Sequence, residues 1–280
     1  MTDGDNLRGK VILITGAGSG FGRLTAELAA SRGARIVASD VDADSVAAAV
    51  TAIAEPGGEA VAVRADVTRK ADLDGAVRVA VERFGAVDVL VNNAGVMPLA
   101  FFADHDAAWE AWDRAIDINL KGVVHGIAAV HDQMIEQGRG HIVNISSIYG
   151  NRGVAGSGVY SATKAAVAVL SDALRVESQG KIKTTVIRPT GVPGTNLASG
   201  VVNFEAFVGI TGQNTERYAS QIQRMLQGSM EPRELDPDDV GYWTLSPDDL
   251  AAQIVAVIDM PWGVDVSDIT VRATGEDYVL

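Results

Sequence analysis

The feature that most constrains the fold is a glycine-rich turn set between an apolar strand and a helix. Residues 11–14, Val-Ile-Leu-Ile, form a short apolar run rich in β-branched side chains, which predicts a buried strand. The glycine-rich stretch Thr15–Gly22 follows directly, and a helical pattern runs from Leu24 to Ser31. A strand that enters a helix through such a turn is typical of a parallel sheet covered by helices.

The same turn fits the phosphates of a dinucleotide. Gly16, Gly20 and Gly22 allow a tight turn and close approach of the backbone, and the start of the helix presents free N–H groups to a pyrophosphate. The spacing is Gly-x-x-x-Gly-x-Gly, not Gly-x-Gly-x-x-Gly. Three glycines could also form a plain turn, but the flanking strand and helix favour cofactor binding.

An acid follows the second predicted strand, Ala34–Ser39. Asp40 lies 24 residues after Gly16, close to the spacing at which a carboxylate accepts hydrogen bonds from the adenosine ribose. A carboxylate there would repel a 2′-phosphate, and the glycine turn contains no Arg or Lys to offset it. The sequence therefore predicts NAD over NADP. The alternative is that Asp40 only starts the turn 40–42.

Strands and helices alternate along the rest of the chain. Further strands are predicted at 60–65, 87–91, 142–147, 183–188 and 268–272, and helices at 45–54, 69–84, 107–137 (two helices), 159–178 and 246–260. No break in composition marks a second domain. The pattern predicts one domain, residues 1–280, with an α/β fold: a Rossmann-type doubly wound parallel sheet of about seven strands with helices on both faces.

Composition and charge exclude several classes of partner and site. The 280-residue chain has a net charge of −13, which argues against nucleic acid or an anionic membrane surface as partner. Without cysteine it has no disulfide or thiolate metal site, and its four histidines lack metal-ligand spacing, so we predict no metal. No apolar run reaches 18 residues, and the polar stretch Met1–Lys10 lacks the core of a signal peptide. A cytoplasmic protein is expected.

A tyrosine and a lysine lie one helical turn apart at Tyr160 and Lys164. A free phenol has a pKa of about 10, and a fixed ammonium nearby favours the phenolate, which could then act as a base. Taken alone, the pair is weak evidence, because a solvated helix face explains such spacing more often.

Other polar residues follow the predicted strands. Asp66 could meet an adenine amino group or cap the next helix. Small residues in the stretch Asn92–Gly95 leave room for a ribose or nicotinamide, although the asparagines could equally lock a turn. Asn119 lies inside a predicted helix, where asparagine is unfavourable. Ser147 ends the fifth strand, thirteen residues before Tyr160.

Taken together, these motifs resemble the short-chain dehydrogenase/reductase family over about Lys10–Thr195. The shared residues are Thr15, Gly16, Gly20, Gly22, Asp66, Asn92–Gly95, Asn119, Ser147, Tyr160, Lys164 and Pro189. The resemblance implies that Tyr160 is the base in alcohol oxidation and the acid in ketone reduction. It implies that Lys164 lowers the tyrosine pKa and holds the nicotinamide ribose, that Ser147 binds the substrate oxygen, and that Asn119 holds a water linking Lys164 to solvent.

The predicted site follows from these motifs and the resemblance. The predicted catalytic residues are Asn119, Ser147, Tyr160 and Lys164. The predicted NAD-binding residues are Gly16, Ser19, Gly20, Phe21, Gly22, Asp40, Val41, Asp66, Val67, Asn93, Ala94, Gly95, Tyr160, Lys164, Pro189, Val192 and Thr195. The predicted substrate contacts are Met97, Ser147, Tyr149 and Tyr160. Thr190 replaces a family glycine, so the threonine expected near the carboxamide is displaced, and Thr195 is the candidate.

The irregular stretch of residues about 196–245, the predicted lid, is rich in apolar and aromatic residues. It predicts a medium-sized, largely apolar secondary alcohol or ketone as substrate, unless these side chains pack on one another or on a second subunit. An NADPH-dependent ketoreductase is the nearest alternative. A non-catalytic nucleotide-binding regulator is a second, opposed by the intact Ser147, Tyr160 and Lys164, and an epimerase or dehydratase would need a larger carboxyl-terminal part. Apolar helix faces around Asn119 and Lys164 predict a homodimer or homotetramer.

Overall fold

A single parallel sheet organises the computed structural model, which describes residues 6–280. Its strands are β1 (Val11–Thr15), β2 (Arg35–Asp40), β3 (Glu59–Arg64), β4 (Val89–Asn92), β5 (Gly140–Ile145), β6 (Ile182–Pro189) and β7 (Asp268–Val271). All neighbouring strands pair in parallel, in the order β3-β2-β1-β4-β5-β6-β7. The first half of the polar stretch Met1–Lys10 lies outside the described residues.

Ten α-helices connect these strands within the described residues. They are α1 (Gly20–Ser31), α2 (Ala43–Ala54), α3 (Lys70–Phe84), α4 (His105–Ala115), α5 (Gly122–Glu136), α6 (Gly158–Glu177), α7 (Val208–Thr211), α8 (Thr215–Leu226), α9 (Pro232–Leu235) and α10 (Pro247–Ile258). A π-helical segment, Ile116–Lys121, joins α4 to α5. None of these helices is long and apolar enough to cross a membrane.

Apolar side chains fill both faces of the sheet. Residues of α1, α2 and α10 form one core with the strands, and residues of α3, α5 and α6 form a second core on the opposite face. Every residue of β1, β4 and β5 is buried, which explains their nearly continuous apolar sequences. The predicted doubly wound sheet of about seven strands in a single domain is confirmed.

The strand order reverses between β1 and β4. The chain moves from β1 to β2 and β3 on one side, and then crosses to β4 and continues to β7 on the other. In open α/β sheets this reversal leaves a crevice beyond the carboxyl ends of the strands, where ligands bind. The glycine-rich turn, the stretch 93–97 and Ser147 all follow strands that end at this crevice.

Some boundaries differ from the sequence prediction. Helix α1 begins at Gly20, not Leu24, because the two glycines of its first turn leave Phe21 as the only apolar side chain there, too few to reveal a helical period. Strand β5 ends at Ile145, and Ser147 begins a short 3-10 turn over Ile148–Gly150. The predicted lid contains α7, α8 and α9, whereas two short helices were expected.

Candidate active site

Two adjoining cavities occupy the crevice at the carboxyl edge of the sheet. The first, of about 750 Å³, borders the glycine-rich turn, Asp40 and the segments after β3 and β4. The second, of about 640 Å³, borders Ser147, Tyr160, Lys164 and the predicted lid. Both cavities share the lining residues Phe21, Asn93, Gly95, Thr195 and Leu197. Both volumes lie in the range of small-molecule sites.

The glycine-rich turn is closed against the end of β4. The Asn93 side-chain amide donates to the carbonyls of Thr15, at 2.8 Å, and Gly16, at 3.1 Å. A Cβ atom at Gly22 would lie 2.3 Å from Asn93 Nδ2 and 2.4 Å from the Gly16 carbonyl oxygen. No side chain therefore fits at position 22 while the turn keeps this shape.

This cavity has the donors and acceptors that a dinucleotide needs. The first backbone N–H groups of α1 have no acceptor within the helix. Asn93 Oδ1 is buried and has no hydrogen-bond partner. The residues present therefore fit a phosphate-containing ligand lying along the turn.

Asp40 forms the suggested turn and also lines the first cavity. Its Oδ1 accepts from the Asp42 backbone N–H at 3.1 Å, which is the turn-forming contact. Its Oδ2 accepts from the Gly18 backbone N–H at 2.9 Å, which ties the end of β2 to the glycine-rich turn. The carboxylate also lines the first cavity and keeps acceptor capacity toward it.

Asp66 lines the first cavity but does not cap α3. Its Oδ1 accepts from the Thr68 backbone N–H at 2.9 Å and from the Thr68 hydroxyl at 2.8 Å. Burial raises the pKa of the Asp66 carboxyl, but the Thr68 hydrogen bonds and the nearby Arg69 outweigh it and hold the pKa below its usual value. The N-cap of α3 is Arg69, without a side-chain hydrogen bond.

Tyr160 lies buried on the first turns of α6, at the floor of the second cavity. Burial raises its pKa to about 12, while a hydrogen bond from Ser147 acts in the opposite direction. The net pKa is thus above the ordinary value of a phenol, whereas the resemblance implied a lowered pKa. The reason is that desolvation of the phenolate is the largest effect on this side chain.

Lys164 lies one helical turn further along α6 and is also buried. Its Nζ donates to the Ile145 carbonyl at 2.8 Å and lies 5.9 Å from the centre of the Tyr160 ring. Burial lowers its pKa to about 8. A Cβ atom at Gly95 would lie 3.5 Å from this Nζ and 3.3 Å from Asn119 Oδ1, so the three residues meet at one point.

Asn119 lies in the π-helical segment Ile116–Lys121, which explains an asparagine where an α-helix was predicted. Its side chain pins the backbone of Val96, accepting from the N–H at 2.9 Å and donating to the carbonyl at 2.8 Å. It also donates to Thr163 Oγ1 at 3.3 Å, next to Lys164. In this geometry Asn119 positions the segment after β4 against α6.

Ser147 and Tyr149 lie beside Tyr160 after β5. The Ser147 hydroxyl accepts from the Tyr149 backbone N–H at 3.2 Å. The Tyr149 ring meets the Tyr160 ring edge-on, with 5.4 Å between centroids. The Tyr149 hydroxyl is buried without a hydrogen-bond partner, and burial raises its pKa well above the usual value.

Most of the remaining predicted residues border the cavities. Ser19, Val41, Val67 and Ala94 line the first cavity, and Met97, Pro189 and Val192 line the second. Thr195 lines both cavities and donates its hydroxyl to the Val192 carbonyl at 3.2 Å. The geometry thus gathers the predicted residues, while their individual roles remain predictions.

Sequence reasoning missed two parts of the lining. Trp109 is 68% exposed and borders the first cavity with Arg114 and Asp117. Tyr278, in the stretch after β7, borders the second cavity. Neither residue belongs to a motif, so no sequence signal pointed to them.

Comparison with known proteins agrees with this geometry. Residues 10–206 match the short chain dehydrogenase family. The chain belongs to this family. It is 34% identical over 275 residues to a protein of Listeria monocytogenes described as an uncharacterized oxidoreductase, covering 97% of this chain and 99% of the relative. The resemblance proposed from the motifs is therefore confirmed, and the chain is an oxidoreductase of the short-chain type.

Solved structures of other short-chain dehydrogenases superpose on this chain. One, from Burkholderia phymatum in complex with NAD, gives a TM-score of 0.74 at 29% identity and covers 95% of this chain and 89% of its own. Another, the closed form of a serine dehydrogenase complexed with NADP⁺, gives a TM-score of 0.74 at 27% identity and covers 93% of this chain and 94% of its own.

Proposed function

We propose that this short-chain dehydrogenase is an NAD-dependent enzyme that interconverts a medium-sized, largely apolar secondary alcohol and its ketone. The observation that carries the proposal is the meeting of Ser147, Tyr160 and Lys164 at one cavity that continues into the cavity of the glycine-rich turn. Such an arrangement suits a reaction in which one group exchanges a proton and an adjoining ligand exchanges a hydride.

The proposed proton transfer uses the chain's own side chains. Tyr160 takes the hydroxyl proton of the alcohol in oxidation and returns it to the carbonyl oxygen in reduction. Ser147 donates to the substrate oxygen and holds it near the phenol. A bound nicotinamide would supply the hydride acceptor in oxidation and the donor in reduction.

Lys164 is proposed to assist the proton transfer at Tyr160 through its charge. With a pKa of about 8, its amine changes charge close to neutral pH. While charged, it favours the phenolate whose formation burial opposes. Asn119 positions it indirectly by holding Thr163 and Val96.

The proposed substrate follows from the walls of the second cavity. Apart from Lys164 and Glu205, the lining side chains carry no charge, and most are apolar or aromatic. From the predicted lid come Leu197, Phe204, Phe207, Val208, Ile210, Tyr218, Met225, Leu226 and Trp243. An uncharged substrate would bury its apolar surface here, and its one reacting oxygen would face Ser147 and Tyr160.

Asp40 supports NAD as the cofactor. Its carboxylate lines the first cavity at the end of β2, where a 2′-phosphate would meet a like charge. The Burkholderia neighbour is described in complex with NAD, and the serine dehydrogenase in complex with NADP⁺. The latter keeps an NADPH-dependent reductase as the second candidate.

We also propose a homo-oligomer, either a dimer or a tetramer. Helices α5 and α6 present Val124, Val169 and Val176 to solvent, at 41%, 68% and 73% exposure. Burial of such a face between subunits is favourable. The expected cytoplasmic location stays a prediction from the sequence.

The reaction is tested by following NADH formation over a panel of secondary alcohols graded in size, charge and hydrophobicity. We expect turnover that rises with apolar size up to the capacity of the cavity and is lost when the alcohol carries a charge. Absence of turnover on every alcohol with NAD, and on every corresponding ketone with NADH, would contradict the proposal.

The cofactor is tested in the same assay with NAD and NADP. The wild type should prefer NAD in kcat/KM by about tenfold or more, because a 2′-phosphate would face the Asp40 carboxylate. Asp40→Ala should bring the ratio toward one, whereas Asp44→Ala, an exposed acid outside both cavities, should leave it unchanged. A wild type that prefers NADP would favour the second candidate.

A further inference from the structure

The chain after β7 folds back over the second cavity. Asp277 is buried, and its Oδ2 accepts from the Trp243 indole N–H at 2.8 Å. Its Oδ1 lies 3.1 Å from Arg217 Nε in an ion pair, and its carbonyl accepts from the Asn214 side-chain amide at 3.0 Å. A buried carboxylate that is paired and hydrogen-bonded in this way fixes the segment firmly to the predicted lid.

A second anchor follows two residues later. The Val279 backbone N–H donates to the Ile210 carbonyl at 2.9 Å, at the end of α7. Tyr278 and Leu280 pack against the apolar cluster that includes Tyr149, Tyr160 and Ile210. Tyr278 is therefore held between two anchored neighbours, with its ring toward the reaction site.

The Tyr278 hydroxyl packs directly against Gly191 in the loop after β6. A Cβ atom at Gly191 would lie 1.9 Å from the Tyr278 hydroxyl oxygen and 2.7 Å from Cζ. The Tyr278 ring also lies 5.7 Å from the Tyr218 ring of α8. One side chain thus touches the loop after Pro189, the predicted lid and the cluster around Tyr160.

We propose that Tyr278 is a specificity-determining residue, whose ring is a fixed wall that limits the size of the substrate beside Tyr160. The inference rests on the proposed alcohol and ketone chemistry and adds a residue from outside its motifs. Its physical basis is that the ring has little room to move. Asp277 and Val279 hold the backbone on either side of Tyr278, and Gly191 and Tyr218 confine the ring. An uncharged substrate therefore contacts this ring or is excluded by it.

The test compares Tyr278→Ala and Tyr278→Phe on ketones of increasing size. Tyr278→Ala should raise kcat/KM for the bulkiest members relative to the smallest by about tenfold, because the freed space accepts further methylene groups. Tyr278→Phe keeps the ring and should keep the wild-type size profile. Tyr242→Ala removes a tyrosine outside both cavities and should also keep it.

The contact with Gly191 offers an independent check. Gly191→Ala should disturb the same size profile by pushing the Tyr278 ring, and this effect should largely vanish in the Gly191→Ala/Tyr278→Ala double variant. Thermal unfolding and NADH affinity are measured for every variant, so that a change in cavity size is distinguished from a loss of stability or of cofactor binding. A uniform fall for all ketones in Tyr278→Ala, or no change, would overturn the proposal.

Failure of the proposed function has a different signature. If the wild type turns over no ketone, the affinities of the same ketones for the protein are measured from the change in tryptophan fluorescence that is lost in Trp243→Phe, since Trp243 lines the cavity. If Tyr278→Ala binds larger ketones than the wild type does, the proposed size limit at Tyr278 is supported even though the proposed reaction is not. If the two proteins show the same dependence of affinity on ketone size, or bind no ketone, the proposed size limit at Tyr278 is rejected as well.

Discussion

At the scale of single residues, the candidate site depends on burying groups that prefer water. Tyr160 and Lys164 are 3% and 5% exposed, and burial moves the pKa of the phenol up to about 12 and that of the amine down to about 8. Each shift disfavours the charged form. A buried pair with displaced pKa values is typical of proton-transfer sites, although ion-pair networks also displace them.

These shifts predict a pH dependence for the two directions of the reaction. In the proposed reaction, oxidation requires the Tyr160 phenolate, whose fraction rises with pH at every value below its pKa. Oxidation should therefore accelerate by about tenfold or more between pH 6 and pH 9. Reduction requires the phenol and should not accelerate. Because the two groups are coupled, the apparent pKa values belong to the pair.

Initial rates in both directions, with a deuterated alcohol to identify the hydride-transfer step, measure this dependence. A pH-independent oxidation rate, under conditions where that step is rate-limiting, would exclude Tyr160 as the base.

The sequence could predict which residues meet at the site but not their state of protonation. Tyr160, Lys164, Ser147 and Asn119 stand in motifs, so their positions followed from spacing and resemblance. The burial that governs their pKa values depends on the packing of α6 against β5 and the predicted lid. No local pattern encodes this packing.

At the scale of elements, the turn between β1 and α1 is fixed by contacts with β4. Asn93 bonds the carbonyls of Thr15 and Gly16, and Gly22 leaves the space that its amide fills. The sequence predicts the turn from its glycines and from the strand and helix on either side of it. Its partner could not be predicted, because β1 and β4 are neighbours only in the folded sheet.

A methyl group at position 22 should therefore damage the dinucleotide site. In Gly22→Ala the new Cβ would press on Asn93 Nδ2 and the Gly16 carbonyl, and we expect NADH affinity to fall by about tenfold or more. Fluorescence titration with NADH measures the affinity, and thermal unfolding shows that the variant is folded.

Gly75→Ala is the matched control, since Gly75 also lies within a helix but a Cβ there would meet only Arg78, at 3.5 Å. It should leave NADH affinity unchanged and stabilise α3 slightly, by up to about 1 kcal/mol. A folded Gly22→Ala that binds NADH as tightly as the wild type would show that the turn does not hold the cofactor.

The π-helical segment between α4 and α5 is a second case. Sequence periodicity predicted two helices and placed Asn119 inside one, and the extra residue of the π turn has no signature in composition. What the sequence did offer was the anomaly itself, an asparagine where a helix disfavours it. The structure resolves the anomaly through the bonds to Val96 and Thr163.

At the scale of the whole molecule, strand order gathers groups from distant parts of the chain. Alternating strands and helices predicted the doubly wound sheet, because the pattern continues without interruption to β6. The predicted lid and the stretch after β7 follow no such rule. Their contacts, such as Asp277 with Trp243 and Tyr278 beside Gly191, join residues 34 and 87 positions apart and were invisible in the sequence.

The central claim is that Tyr160 performs proton transfer next to a bound nicotinamide cofactor. Its most direct test is Tyr160→Phe, which removes one hydroxyl from a buried ring and leaves the glycine-rich turn intact. We expect alcohol oxidation to fall by about a thousandfold or more while NADH affinity stays within about threefold of wild type. Tyr242→Phe, outside both cavities, should retain both. Substantial turnover by a folded Tyr160→Phe enzyme would contradict the account.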